Sequence, residues 1–120
     1  MSYTIDLSGR VALITGASSG LGAQFADLRT EIESEGGDAH VVQMDVTDPN
    51  TIRAAVAHAE TEVGTIDILI NNSGVSTTQK LVDVSPHDYD FIMNTNTRGA
   101  FFVAQEVGKR MIARSKGAAP

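Results

Sequence analysis

The chain has 120 residues, 42% apolar and 20% charged, which suits one ordinary domain with a core and excludes a disordered polymer. Fifteen Asp and Glu against nine Lys and Arg give a formal charge of −6, arguing against nucleic acid or an anionic membrane as the main partner. There is no cysteine, so disulfides and thiolate metal sites are excluded.

The N-terminal stretch MSYTIDLSGR lacks the basic start and apolar centre of a secretory signal. No apolar run is long enough to cross a bilayer, and the expected location is the cytoplasm. The first regular element expected is a strand over residues 11–15 (VALIT), apolar without alternation and so read as buried on both faces. It breaks into Gly16, Gly20 and Gly22. Beyond them Leu21, Phe25, Leu28 and Ile32 fall on one face of a helix that ends at Gly36 and Gly37.

Residues 39–44 (AHVVQM) read as a second strand. Asp48 and Pro49 then supply an N-cap and a first-turn proline for a helix whose apolar face is Ile52, Val56, Ala59 and Val63. Residues 66–70 (IDILI) read as a third strand, running straight into the polar loop Asn71, Asn72, Ser73, Gly74. Ser85 and Pro86 open a short helix near Tyr89 to Met93. The last helix starts at Gly99 and is apolar around much of its circumference, through Phe101, Phe102, Val103, Val107, Met111 and Ile112. Strand and helix alternate, the pattern of a parallel α/β sheet covered by helices.

A helix that starts directly after a buried strand aims free N–H groups and a positive dipole end at the intervening loop. Glycines there let a diphosphate approach, and Ser18 and Ser19 add hydroxyl donors. The bland alternative is a turn that merely needs positive φ. The spacing is neither G-x-G-x-x-G nor, lacking a lysine, a P-loop.

Four motifs in order decide between these readings. LSGRVALITGASSGLG carries Thr15-Gly16-x-x-x-Gly20-x-Gly22, DVTD spans Asp45 to Asp48, NNSG spans Asn71 to Gly74, and NTNTRGAFF contains Asn96 and Gly99. Together they resemble the short-chain dehydrogenase/reductase family over nearly the whole chain, with Ser73 where the family usually has alanine. The resemblance implies an incomplete Rossmann-like doubly wound parallel sheet of about three strands, forming the dinucleotide-binding part of one domain over residues 1–120.

It also implies NAD or NADP as cofactor, with Gly16, Ser18, Ser19, Gly20, Leu21 and Gly22 at the diphosphate. Asp45 and Val46 would meet the adenine, and Asn72, Ser73 and Gly74 would line the ribose side. A rival reading gives Asp45 the ribose hydroxyl, because it ends a strand about 20 positions past the glycines. Asn96 matches the family's catalytic asparagine, which helps hold a water in a proton relay; bracing the backbone between helices is its alternative. The helix from Gly99 to Ala113 matches an element that commonly packs between subunits, which implies a homo-oligomer.

Two parts of the family pattern are missing. LGAQFA resembles the start of the glycine helix and DLRTEIESEGGDAH the end of the next one, so a strand is omitted near Ala26 and Asp27. That strand would carry the residue that selects NAD or NADP. The family's catalytic serine, tyrosine and lysine are also absent: Tyr3 has Leu7 four residues on, and Tyr89 has Met93. They are expected beyond Pro120.

The leading expectation is an oxidoreductase moving hydride between nicotinamide and a carbonyl or secondary alcohol, seen in part. The alternatives are a nucleotide-binding module without redox activity and a self-associating fragment. His40, His58 and His87 lack metal-site spacing and are expected as ordinary surface or core histidines. Ser73 is expected as a tolerated small residue, since no base is placed to make it a nucleophile.

Overall fold

The computed structural model describes residues 8–16, 30–75 and 78–118. Among them two short strands, β1 (Ala12–Ile14) and β2 (Ile68–Ile70), pair in parallel with Ala12 opposite Ile68 and Ile14 opposite Ile70. A parallel pair needs a crossover, and the helix α1 (Pro49–Glu62) supplies one. Asp48 caps it by accepting from the Asn50 N–H at 2.9 Å, with Pro49 in the first turn, as the sequence predicts.

α1 buries Ile52, Ala55, Val56 and Ala59, spaced three, one and three apart along one stripe. Val63, expected on that stripe, is instead the C-cap and faces outward. The stripe packs on Ile66 and on Val103 and Val107 of the long C-terminal helix, and these residues form the core. Polar contacts tie the same layers together. Arg110 donates to Glu60 and Glu106, while Arg114 pairs with Glu60 and donates to the Ile66 carbonyl. Burial alone would lower the Arg110 pKa, but the hydrogen bonds to Glu60 and Glu106 outweigh it and raise it.

After β2 the chain passes through a single 3₁₀ turn (Leu81–Asp83) into α2 (Pro86–Met93). Ser85 caps α2 by accepting from the Asp88 N–H at 3.1 Å, again as expected. A π turn (Asn94–Gly99) then widens the helix and leads directly into α3 (Ala100–Ala118). Of the helix expected after the glycines, residues 30–34 are described and helical. It ends as anticipated. Gly36 has φ +89°, its N–H bonds Glu33 O and the Gly37 N–H bonds Ile32 O, the paired closure that a glycine at this position permits.

Two expectations about the sheet are corrected. Residues 39–44 form no ladder, so two strands are found among the described residues where three were expected. A ladder needs a partner edge, and residues 39–44 have none among the described residues. Nor is β1 buried on both faces: Ala12 is exposed and Ile14 is 48% exposed. The helix expected to cover that face falls largely outside the described residues.

Candidate functional site

The carboxyl ends of β1 and β2 open on one cleft of about 400 Å³. Gly16 closes β1 there, Ser73, Gly74 and Val75 follow β2, and Met44 to Thr47 form a further wall. Phe91 and Thr95 complete the lining. Ligands of open α/β sheets bind at this end of the strands.

Thr15, at 6% exposure, organises the floor. Its Oγ1 accepts from the Asn72 N–H at 2.9 Å and the Ser73 N–H at 3.1 Å, and donates to Asn71 Oδ1 at 3.4 Å. The Asn71 amide in turn donates to Ala100 O at 2.7 Å, fastening the loop to the start of α3. Gly16, with φ +72°, lies so close that a Cβ there would come within 2.6 Å of Asn72 O. Its glycine is required by both conformation and contact.

Asp45 sits at the opposite wall. Its Oδ1 accepts from Thr47 Oγ1 at 2.6 Å and from the Thr47 N–H at 2.9 Å, while its own N–H and C=O both meet Thr51 Oγ1. The hydrogen bonds from Thr47 hold the carboxyl below its ordinary value of 3.8, and so ionised at neutral pH. Its Oδ2 has no partner among the described residues and is free to accept a donor. Val46 beside it packs on Gly99, where a Cβ would meet Val46 Cγ2 at 2.8 Å.

The sequence-derived residues divide into three groups. Gly16, Asp45, Val46, Ser73 and Gly74 share the cleft, and Asn72 joins it through its N–H on Thr15. Ser18, Ser19, Gly20, Leu21 and Gly22 lie outside the described residues. Asn96 is placed differently from a residue that reaches into the cleft. Its Oδ1 accepts from the Val75 N–H at 2.7 Å and its Nδ2 donates to Val75 O at 2.8 Å, so the amide is spent bracing the loop after Gly74.

Thr15, Asn71 and Thr95 were not expected as site residues. Thr15 and Asn71 stand inside the quoted motifs, next to Gly16 and Asn72, and that adjacency is the signal that marks them. Thr95 carries none. Among the described residues no three His, Asp or Glu side chains gather as a metal site, and Tyr89 lies on α2, 56% exposed.

The profile of the family described as short chain dehydrogenase matches residues 23–119. Gluconate 5-dehydrogenase of Gluconobacter oxydans is 36% identical over 93% of this chain and 52% of its own length. D-threitol dehydrogenase of Mycolicibacterium smegmatis is 32% identical over 98% of this chain and 54% of its own. Among solved structures, a gluconate 5-dehydrogenase from Burkholderia cenocepacia, in complex with NADP and tartrate, superposes with TM-score 0.76 at 34% identity. It covers 88% of this chain and 50% of that one.

A short-chain type dehydrogenase/reductase from Mycobacterium marinum superposes with TM-score 0.84 at 30% identity, over 91% of this chain and 53% of that one. The chain belongs to the short-chain dehydrogenase family, and its fold is an incomplete Rossmann-type α/β sheet. It spans about half the length of the curated relatives it matches. The match to the Gluconobacter enzyme runs over 133 positions but takes in 93% of a 120-residue chain, about 112 residues. About 21 of those positions therefore have no counterpart here.

Proposed function

We propose that this chain is the nucleotide-binding part of an NAD- or NADP-dependent oxidoreductase acting on a small carbonyl compound or secondary alcohol. The observation that carries the reading is the cleft itself, where Gly16, Asp45, Val46, Ser73 and Gly74 meet at the carboxyl ends of parallel strands. These residues fit a dinucleotide: an ionised carboxylate with a free oxygen for an amine or hydroxyl donor, and small residues where a flat group enters. Bound nicotinamide would supply the hydride acceptor or donor.

Within the chain, Asp45 and the Val46 backbone would hold the adenosine end, with Gly16 and the loop through Gly22 at the diphosphate. Asn72, Ser73 and Gly74 would line the ribose side, positioned by Thr15. Asn96 acts as a positioning residue through Val75. NADP appears with the Burkholderia structure and NADPH with a blue fluorescent protein from a metagenomic library at TM-score 0.73 and 28% identity, which supports a dinucleotide without choosing between NAD and NADP here.

We further place the protein in the cytoplasm as a homo-oligomer joined through the helix from Gly99 to Ala113. No described helix is long and apolar enough to cross a membrane, and α3 leaves an apolar face open.

Calorimetric titration with NADP and with NAD tests the reading. Saturable binding of either, weakened about tenfold by Asp45→Ala, supports it, since one charge-assisted hydrogen bond is worth about 1.4 kcal/mol or more. No binding of either sinks it. An intact mass of 12.7 kDa together with binding but no turnover would instead support a redox-inactive nucleotide-binding module. A heavier species with turnover would support the dehydrogenase.

A further inference from the structure

A threonine inside a helix ordinarily returns its hydroxyl to the carbonyl four residues back. Thr61 of α1 does so, donating to Ala57 O at 3.0 Å. Thr95, in the π turn between α2 and α3, does not. The carbonyl four back, Phe91 O, accepts instead from the Asn94 N–H. Thr95 is only 9% exposed, yet its hydroxyl has no hydrogen-bond partner among the described residues. Every fully buried side-chain nitrogen or oxygen among them has one. The Thr95 hydroxyl is therefore not sealed in, and the space that Thr95 borders is the cleft.

Its neighbours fix where in the cleft it lies. Asn96, the next residue, grips Val75 through two hydrogen bonds. Gly99, about one turn further on, rests against Val46. Thr95 thus stands between the loop after β2 and the wall that carries Asp45 and Val46. Phe91, four residues before it and so on the same side of the helix, borders the same cleft and is 50% exposed. An exposed ring and an unpaired hydroxyl one turn apart suit a flat heteroaromatic group, which needs a surface to lie on and a polar contact at its edge.

We propose that Phe91 and Thr95 form a base-reading face, with the Thr95 hydroxyl donating to a ring nitrogen of adenine and the Phe91 ring covering the base. This rests on the dinucleotide reading above and adds two residues to it. Adenine is the base that fits. It offers accepting ring nitrogens to the hydroxyl and an amine to the free oxygen of Asp45. The ring nitrogen of nicotinamide in a dinucleotide is already bonded to the sugar and cannot accept.

Calorimetric titration of the full chain with ADP-ribose, which lacks nicotinamide, and with nicotinamide mononucleotide, which lacks adenine, tests this. Thr95→Val keeps the branched shape and removes the hydroxyl. ADP-ribose should then bind about five- to tenfold more weakly, while Thr95→Ser binds it as the wild type does. Phe91→Ala should weaken it about tenfold. The urea midpoint of Thr95→Val should match or exceed that of the wild type, because no bond within the protein is lost. Equal ADP-ribose affinity in wild type and Thr95→Val overturns the proposal and leaves the dinucleotide reading standing. So does a loss confined to nicotinamide mononucleotide. A lowered midpoint for Thr95→Val would assign the hydroxyl to the fold and overturn it too. A wild type that binds neither ADP-ribose nor NAD nor NADP sinks the dinucleotide reading itself, and this proposal with it.

Discussion

Thr15 shows how much one hydroxyl organises. Its Oγ1 receives two backbone N–H groups from the loop after β2, in a site that water does not reach easily. Thr15→Val keeps the shape and removes the acceptor, leaving the Asn72 and Ser73 donors unpaired. A loss of about 2 kcal/mol is expected, near the usual cost of unmet buried donors. Urea unfolding checks it: a lower midpoint at unchanged slope for the valine variant, with Thr15→Ser close to wild type. Equal midpoints for valine and wild type would contradict the role. At Asp45 the expectation concerns pH. Its folded pKa lies below 3.8 because Thr47 donates to the ionised form, so the resulting stabilisation is present above the unfolded value and lost as pH falls through the folded one. A carboxyl carbon titration should place the midpoint below 3.8, and Thr47→Val should move it upward.

At the scale of elements, what was legible in the sequence is what neighbours in sequence decide. Asp48 with Pro49, Ser85 with Pro86, and Gly36 with Gly37 each fix a helix end through contacts within a few residues, and all three are found. Residues 39–44 have a strand's composition and alternation, yet a ladder needs a partner edge, which composition cannot report and which is not found among the described residues. Thr95 was illegible for a related reason, since only the wide turn of Asn94–Gly99 places it at the cleft. The packing of that turn gives a third prediction. Gly99 is buried against Val46, and a Cβ would sit 2.8 Å from Val46 Cγ2 and 2.9 Å from Val46 O. Gly99→Ala gains up to about 1 kcal/mol of helix propensity but must displace a backbone carbonyl, a cost of about 1–3 kcal/mol. Net destabilisation is expected, with amide shifts in Asp45 to Thr47 in an NMR spectrum. A stabilised variant would show that the Val46 segment yields freely.

For the whole molecule the deciding surface is the outer face of α3. Val103 and Val107 bury one side of that helix on α1. At about 100° per residue, Phe101, Gly108 and Ile112 lie roughly 100–180° away from these two, on the outer side of the helix. Phe101 is 61% and Ile112 58% exposed, and a Cβ at Gly108 would meet nothing within 4 Å. Two large apolar side chains flank a position where another backbone can come close, the pattern of a helix that packs twice. A partner that covers this stripe removes apolar area worth about 25 cal/mol per Å², while a charge set into it must be desolvated before two copies meet. Sedimentation velocity of the wild type should therefore show a species heavier than the 12.7 kDa chain, and Phe101→Glu with Ile112→Glu should return it to the monomer. These substitutions alter solvent-facing positions and should leave the unfolding midpoint within about 0.5 kcal/mol of wild type at equal protomer concentration, once the contribution of association is removed. A wild type that sediments as a monomer throughout the micromolar range would show that this face stays open.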